Sequence, residues 1–140
     1  MNDFDLIIMR HGYAESYSPE GDSGRRLTSE GRDRIQRIGR AWDHLGLAYD
    51  IALASPYVRA QETCELVTEH SASSGEVVTW AGMVPNSPAD ETVKEILRMG
   101  RQLKPDQTLA VFGHNPNLSA VIALLFAGRQ DAYVNLRPGD

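Results

Sequence analysis

The sequence predicts a single α/β domain over residues 1–140, with a mostly parallel central sheet flanked by helices. Three observations predict it. Short apolar runs alternate with segments of helical period along the whole chain. The first run, Phe4 to Met9, is apolar on both faces, as a central strand covered on two sides must be. Arg10-His11, Ser55 to Arg59 and Gly113-His114 each follow such a run directly, and ligands of open parallel sheets bind beyond the carboxyl ends of the strands. Three chemical clusters are thereby expected on one rim.

The elements follow in order. Phe4 to Met9 is the first strand, and a polar loop from Tyr13 to Arg26 is punctuated by Pro19, Gly21 and Gly24. Thr28 offers an N-cap, and Ile35, Ile38, Trp42 and Leu45 recur at helical spacing down to a Gly46 stop. Ile51 to Ala54 is the second strand, ended by Ser55-Pro56. The helix after it runs from Tyr57 to Glu69, with Ala60, Cys64 and Val67 on one face. Val77 to Trp80 reads as a third strand, and Ala89 to Leu103 as a helix carrying Val93, Ile96, Leu97 and Met99. Thr108 to Phe112 is a fourth strand, ending at Gly113-His114-Asn115-Pro116. Leu118 to Phe126 is a helix apolar nearly all round, and Ala132 to Leu136 is assigned as a final strand.

Composition removes several classes of function. At 140 residues, 41% hydrophobic and 24% charged, the chain suits one globular core that needs no disulfide or metal staple. Its one cysteine, Cys64, cannot form an internal disulfide, which fits a reducing, cytoplasmic setting. The N-terminus Met1-Asn2-Asp3-Phe4-Asp5 is acidic where a signal peptide would be basic. The longest apolar stretch, Leu118 to Ala127, falls short of the roughly 20 residues that span a bilayer, so no membrane association is expected. A net charge of -5 argues against sequence-independent nucleic-acid binding. Of the fourteen Lys and Arg residues only Lys94 and Lys104 are Lys. That excess of Arg fits either a site that grips phosphate or carboxylate or a coding bias.

His11 at a strand end, beside Arg10, Arg59 and a second imidazole in His114, would face an anion-binding cup. A neutral imidazole is a good nucleophile near neutral pH. Guanidinium forks grip phosphoryl oxygens and neutralise transition-state charge. Gly12 lets the backbone approach a ligand closely. Tyr57 to Arg59 open a helix whose N–H groups would add to the cup.

These residues resemble a known family. Leu6-Ile7-Ile8-Met9-Arg10-His11-Gly12 is similar to the signature strand and loop of the histidine phosphatase superfamily, the phosphoglycerate mutase-like fold. Leu27-Thr28 with Gly31, Ala54-Ser55-Pro56 with Arg59-Ala60 and Thr63, and Gly113-His114-Asn115-Pro116 follow in the family's order. The short chain and the approach Arg25-Arg26-Leu27-Thr28 resemble the SixA-type phosphohistidine phosphatase branch. The resemblance implies a phosphohydrolase that needs neither metal nor cofactor. His11 would become a phosphohistidine, and Arg10, Arg59 and His114 would bind the phosphoryl oxygens. Asn115 and Arg26 would assist in binding, Arg26 near the entrance. A phosphohistidine-containing protein is the substrate it implies. A small phosphorylated metabolite is the alternative, and a non-catalytic phospho-ligand-binding domain the second alternative. Binding alone needs no nucleophile, so the presence of both His and both Arg argues against the last. The oligomeric state is not specified.

Two departures from the family stand out. Larger members carry an acidic proton donor after the third strand, where this chain reads Ala81-Gly82-Met83-Val84-Pro85, with no carboxylate before Asp90-Glu91. Glu91 is the nearest substitute. Members of the family usually continue with one or two further strands where this sequence reads Pro138-Gly139-Asp140, so an edge of the sheet is expected either to be missing or to close differently.

The remaining conspicuous residues have plainer readings. His44 and His70 lie near helix ends and receive no role, and four His with one Cys show no zinc-ligand spacing. Cys64 and Trp42 read as core. Arg32, Arg34, Arg37 and Arg40 read as a solvated face of the first helix rather than a docking stripe. Trp80 fits either the pocket or the sheet edge.

Overall fold

Four parallel strands form the centre of the molecule: β1 (Asp5–Arg10), β2 (Ile51–Ala54), β3 (Glu76–Thr79) and β4 (Thr108–Gly113). A computed structural model describes residues 3–129 and 134–140. The strand order is β1-β4-β2-β3, so the last strand in sequence sits between the first two. Register aligns Arg10 with Gly113 and Ala54 with Phe112, so three strands end level with one another.

Four helices cover the sheet: α1 (Ser29–Leu45), α2 (Val58–His70), α3 (Ala89–Gly100) and α4 (Asn117–Ala127). The period-two alternation of the central strands divides the core into two layers. Ala52, Ala54, Ala110 and Phe112 face Ile35 and Trp42 of α1 and Cys64 and Val67 of α2. Leu53, Leu109 and Val111 face Ile96 and Met99 of α3 and Leu118 and Val121 of α4. Small residues on the first face let α1 and α2 sit close, and the larger aromatics Trp42, Tyr49 and Phe112 fill what remains.

Helix α1 begins and ends where the sequence indicates. Thr28 accepts the Gly31 N–H through its hydroxyl at 2.9 Å, and Gly46 closes the helix in the left-handed conformation at φ 70°. The second strand, which Ser55-Pro56 ends, and the two later strands agree with the sequence reading to within a residue at each end. Cys64 and Trp42 are buried, and Trp80 packs at the edge of the α3/α4 layer. Helix α3 is shorter than its apolar periodicity implies. It ends at Gly100, and residues 101–103 turn away with Leu103 still buried.

Among the described residues the expected final strand is not formed. Ala132 and Tyr133 lie outside the described residues, and 134–136 have no regular structure. The segment from Leu136 to Asp140 instead lies across the outer edge of β1. Arg10 donates its backbone N–H to Asp140 O at 2.8 Å, and Gly139 donates to His11 O at 3.0 Å. Side-chain contacts add to this, since Leu136 O accepts both Arg10 Nη1 at 2.7 Å and Asn115 Nδ2 at 3.1 Å. This tail occupies the edge that a further strand would have paired.

The polar loop after β1 is tied at its base by an Ala14–Leu27 bridge and by Thr28 N–H donating to Tyr13 O at 3.0 Å. Glu62 of α2 accepts Leu27 N–H at 2.9 Å and pairs with Arg32 of α1, which anchors the loop to both helices. The loop tip is a short 3-10 turn, Asp22–Gly24, that reaches the start of α2. Arg34 of α1 stacks over the Tyr13 ring at 5.1 Å, while Arg37 and Arg40 lie on the exposed face.

Candidate active site

Because β4 lies between β1 and β2, the residues that follow these three strands meet at one rim. His11 comes from β1, Ser55 and Arg59 from the β2–α2 junction, and His114 from β4. The His11 and His114 rings lie 5.2 Å apart, centroid to centroid, tilted by 58°. All four side chains are buried.

The His11 imidazole is held from both sides. Nδ1 lies 2.7 Å from the Gly12 carbonyl, which can only accept, so Nδ1 carries the proton. Nε2 is then left with its lone pair, and Arg59 Nε donates to it at 3.3 Å. Gly12 N–H donates to Thr63 Oγ1 at 3.1 Å, fastening this backbone to α2. Burial pushes His11 down to about 4, with Arg59, Arg10 and Arg25 acting the same way against the Gly12 hydrogen bond. The ring is neutral at pH 7.

His114 is neutral for related reasons. Burial pushes it down to about 3, and the nearby His11 and Arg59 add to the shift while Asp22 opposes it. Ser55 Oγ lies 2.7 Å from His114 Nε2 and also accepts Tyr57 N–H at 3.2 Å. The Tyr57 ring meets His114 edge-on at 5.0 Å. Among the described residues Nδ1 of His114 is buried without a hydrogen-bond partner, and so is Nε of Arg10. Two unpartnered polar nitrogens at one rim point to a ligand that completes them.

Arg59 is the hub. Its Nη1 donates to the Asp22 carbonyl at 2.7 Å and its Nη2 to Asp22 Oδ2 at 3.2 Å. The guanidinium also stacks on Tyr57 at 5.1 Å. Asp22 in turn binds Arg25 through Oδ1 at 2.8 Å. Hydrogen bonds from Arg25 and Arg59 hold the Asp22 carboxyl below its ordinary value, so it is ionised at pH 7.

Not every residue expected at the site is there. Arg26 is exposed and lines a different hollow with Glu15, Tyr17 and Glu20, because the Ala14–Leu27 bridge turns it outward. Its neighbour Arg25 bonds Glu15 O at 2.6 Å and, at 2.8 Å, Oδ1 of the Asp22 carboxylate that holds Arg59. The Asn115 side chain is spent on structure: Oδ1 accepts Ser119 N–H and its hydroxyl, and Nδ2 binds the tail at Leu136. Glu91 is exposed and pairs with Lys94 at 3.3 Å. At the exit of β3, Met83 is fully buried against β4 at Gly113. The sequence reading missed Asp22 altogether. A lone Asp in a polar loop carries no signal of its own, and only the packing of the loop on α2 brings it to Arg59.

A buried neutral imidazole with a free lone pair, facing guanidinium groups and a second imidazole, defines an enzyme of the phosphoryl-handling type. The sequence pattern of the Histidine phosphatase superfamily (branch 1) matches residues 6–84, and the chain belongs to that superfamily, whose members are phosphatases or mutases. The fold is similar to that of the protein histidine phosphatase SixA solved with tungstate. The TM-score is 0.78 at 24% identity, covering 93% of this chain and 81% of the other. An uncharacterised protein of Picosynechococcus sp. is 27% identical over 136 residues, covering 95% of this chain and 79% of its own length. The 2,3-bisphosphoglycerate-dependent phosphoglycerate mutase of Azorhizobium caulinodans is 36% identical over 73 residues, covering 50% of this chain and 35% of the mutase. The chain thus matches only about a third of that mutase's length. Among the described residues, no group of three or more His, Cys, Asp or Glu converges to hold a metal, and no helix is long and apolar enough to cross a membrane.

Proposed function

We propose that the chain is a phosphohistidine phosphatase acting on a phosphohistidine-containing protein, through a phosphorylated His11. The observation that carries the reading is the pairing of a free His11 Nε2 lone pair with a β3 exit that offers a buried thioether, Met83, and no carboxylate. Residues 80–88 contain no acidic side chain, and Asp22, held ionised by two guanidinium groups, has no proton to give. An alkyl phosphate expels an alkoxide unless a positioned acid protonates it, an aid of about 10²–10⁴-fold. A phosphohistidine protonated on its distal nitrogen expels neutral imidazole and needs no such acid.

In the first step the Nε2 lone pair attacks phosphorus, and the substrate's P–N bond breaks with its electron pair passing to the departing imidazole. In the second, water attacks the phosphorus on His11. The P–Nε2 bond breaks, His11 recovers its lone pair while Nδ1 keeps its proton, and dihydrogen phosphate leaves. Arg10 and Arg59 neutralise the phosphoryl oxygens in both steps. A Ser55 hydroxyl that accepts Tyr57 N–H and donates to His114 Nε2 would leave the His114 proton on Nδ1, to be offered to a phosphoryl oxygen.

Exposure to a phosphohistidine protein carrying labelled phosphate tests this. The wild-type chain is expected to release phosphate and to carry an alkali-stable, acid-labile label, which His11→Ala loses together with turnover. Efficient cleavage of a sugar phosphate, abolished by Glu91→Gln, would overturn the reading in favour of a metabolite phosphatase.

A further inference from the structure

Arg59 faces the cup with its fork already engaged by a carboxylate. A buried guanidinium requires a counter-charge, and Asp22 supplies it from a turn that follows β1 by a dozen residues in sequence. What Asp22 does beyond this depends on where its charge lies. Arg59 Nη2 donates to Asp22 Oδ2 at 3.2 Å while Nε of the same guanidinium donates to the His11 Nε2 lone pair at 3.3 Å. The carboxylate therefore stands one guanidinium away from the attacking atom. Its charge also reaches His114. Asp22 itself is half exposed, with its other oxygen on Arg25. Half exposed while Arg59 is buried, it lies on the solvent side of that guanidinium, the side toward which the group carrying the phosphoryl would extend.

We infer that Asp22 is a specificity-determining residue, admitting substrates whose phosphoryl carrier presents an N–H or a positive charge and rejecting those whose carrier bears a second negative charge. The inference rests on the phosphatase reading above and names what selects the substrate class. A phosphohistidine with a protonated distal nitrogen offers such an N–H, and a carboxylate accepts it as a charge-assisted hydrogen bond. A phosphorylated hydroxy acid instead brings its own carboxylate beside Asp22, and like charges at close range in a partly desolvated site repel. Asp22 would then supply by repulsion part of the discrimination that contacts alone do not.

The test compares two substrates on two proteins. Phosphoimidazole, in its protonated form, carries an N–H opposite its phosphoryl group; phosphoglycolate carries a carboxylate one carbon from its phosphate ester. Asp22→Asn keeps the length and an acceptor oxygen for Arg59 but removes the charge. The ratio of kcat/KM for phosphoimidazole to that for phosphoglycolate is expected to fall in Asp22→Asn by at least about tenfold, through loss on the first and gain on the second. Asp22→Glu is expected to recover part of the ratio. A purely structural role, in which Asp22 merely steadies Arg59, lowers both constants together and leaves the ratio unmoved. That result overturns the inference while the phosphatase reading stands. A wild-type protein that hydrolyses neither phosphoimidazole nor a phosphohistidine protein overturns both.

Discussion

Arg59 Nε donates to His11 Nε2 at 3.3 Å, so the positive group nearest the proposed nucleophile holds the lone pair that the reaction needs. The contact keeps the imidazole oriented and unprotonated until an anion competes for the guanidinium. It also makes the arginine and the histidine one unit, whose separate removal will not give additive losses.

Arg59→Ala is expected to lower kcat/KM by roughly 3–4 kcal/mol of transition-state stabilisation, the scale of one lost preorganised donor. Lys at this position is expected to recover only part, because a point charge cannot serve His11, the Asp22 carbonyl and the Asp22 carboxylate at once. Steady-state kinetics on a phosphohistidine protein measures both, and full activity in either variant would remove Arg59 from the mechanism.

Ser55→Ala is expected to weaken inhibition by orthophosphate and to lower kcat/KM by about tenfold, the value of a lost hydrogen bond in a buried site. The hydroxyl is fully buried and its loss strands both Tyr57 N–H and His114 Nε2. With no donor at Nε2, the His114 proton is free to move from Nδ1, and the anion loses its partner. Nitrogen-15 NMR of the imidazole, which distinguishes the two tautomers, checks the cause directly.

Acid should destabilise the fold earlier than carboxylate titration alone explains. Folded His11 and His114 sit near 4 and 3, against an ordinary 6.5 in the unfolded chain. Between those values the unfolded state binds more protons, so stability is full above pH 6.5 and falls as the pH drops toward 4. His11 alone contributes on the order of 3 kcal/mol to this loss. Urea unfolding at pH 7 and at pH 4.5 should show the slope, and His114→Gln should flatten it. The acid limb of kcat/KM is expected near 4 rather than near 6.5, since the free enzyme's nucleophile is the group that titrates.

Gly31→Ala is expected to destabilise the protein by about 1–3 kcal/mol, and more than Gly12→Ala does. A Cβ on Gly31 would lie 2.2 Å from the Tyr13 backbone carbonyl, which cannot yield because it also accepts Thr28 N–H. At Gly12 the nearest atom is on the Ile35 side chain at 2.8 Å, and a side chain yields at less cost than a hydrogen-bonded backbone carbonyl. Thermal melts of the two variants decide the order.

Local chemistry made most of the fold legible. The apolar run into Arg10-His11, the cap at Thr28 and the stop at Gly46 are decided by residues within a few positions of each other, and the structure forms all three. The run expected as a central strand is nonetheless the edge strand β1, because β4 rather than β1 enters the middle of the sheet. Where distant segments decide, the sequence reading departs from the structure. The bridge between Ala14 and Leu27 leaves Arg26 lining an outer hollow while Arg25 binds the Asp22 carboxylate, although adjacent arginines look alike in sequence. Asn115 reads as a ligand by its place beside His114, yet the tail at Leu136 and the first turn of α4 take up its amide.

Which side chains stand at strand ends was legible from local preference alone, because an apolar run that stops at a polar residue sets that position. Only the tertiary structure decided that β4 enters between β1 and β2, and hence that His114 lies 5.2 Å from His11. It alone placed Asp22 on Arg59, across 37 residues of chain. Such pairings follow from how whole layers pack and from the need of a buried charge for a partner, and both are settled by residues that no local pattern connects.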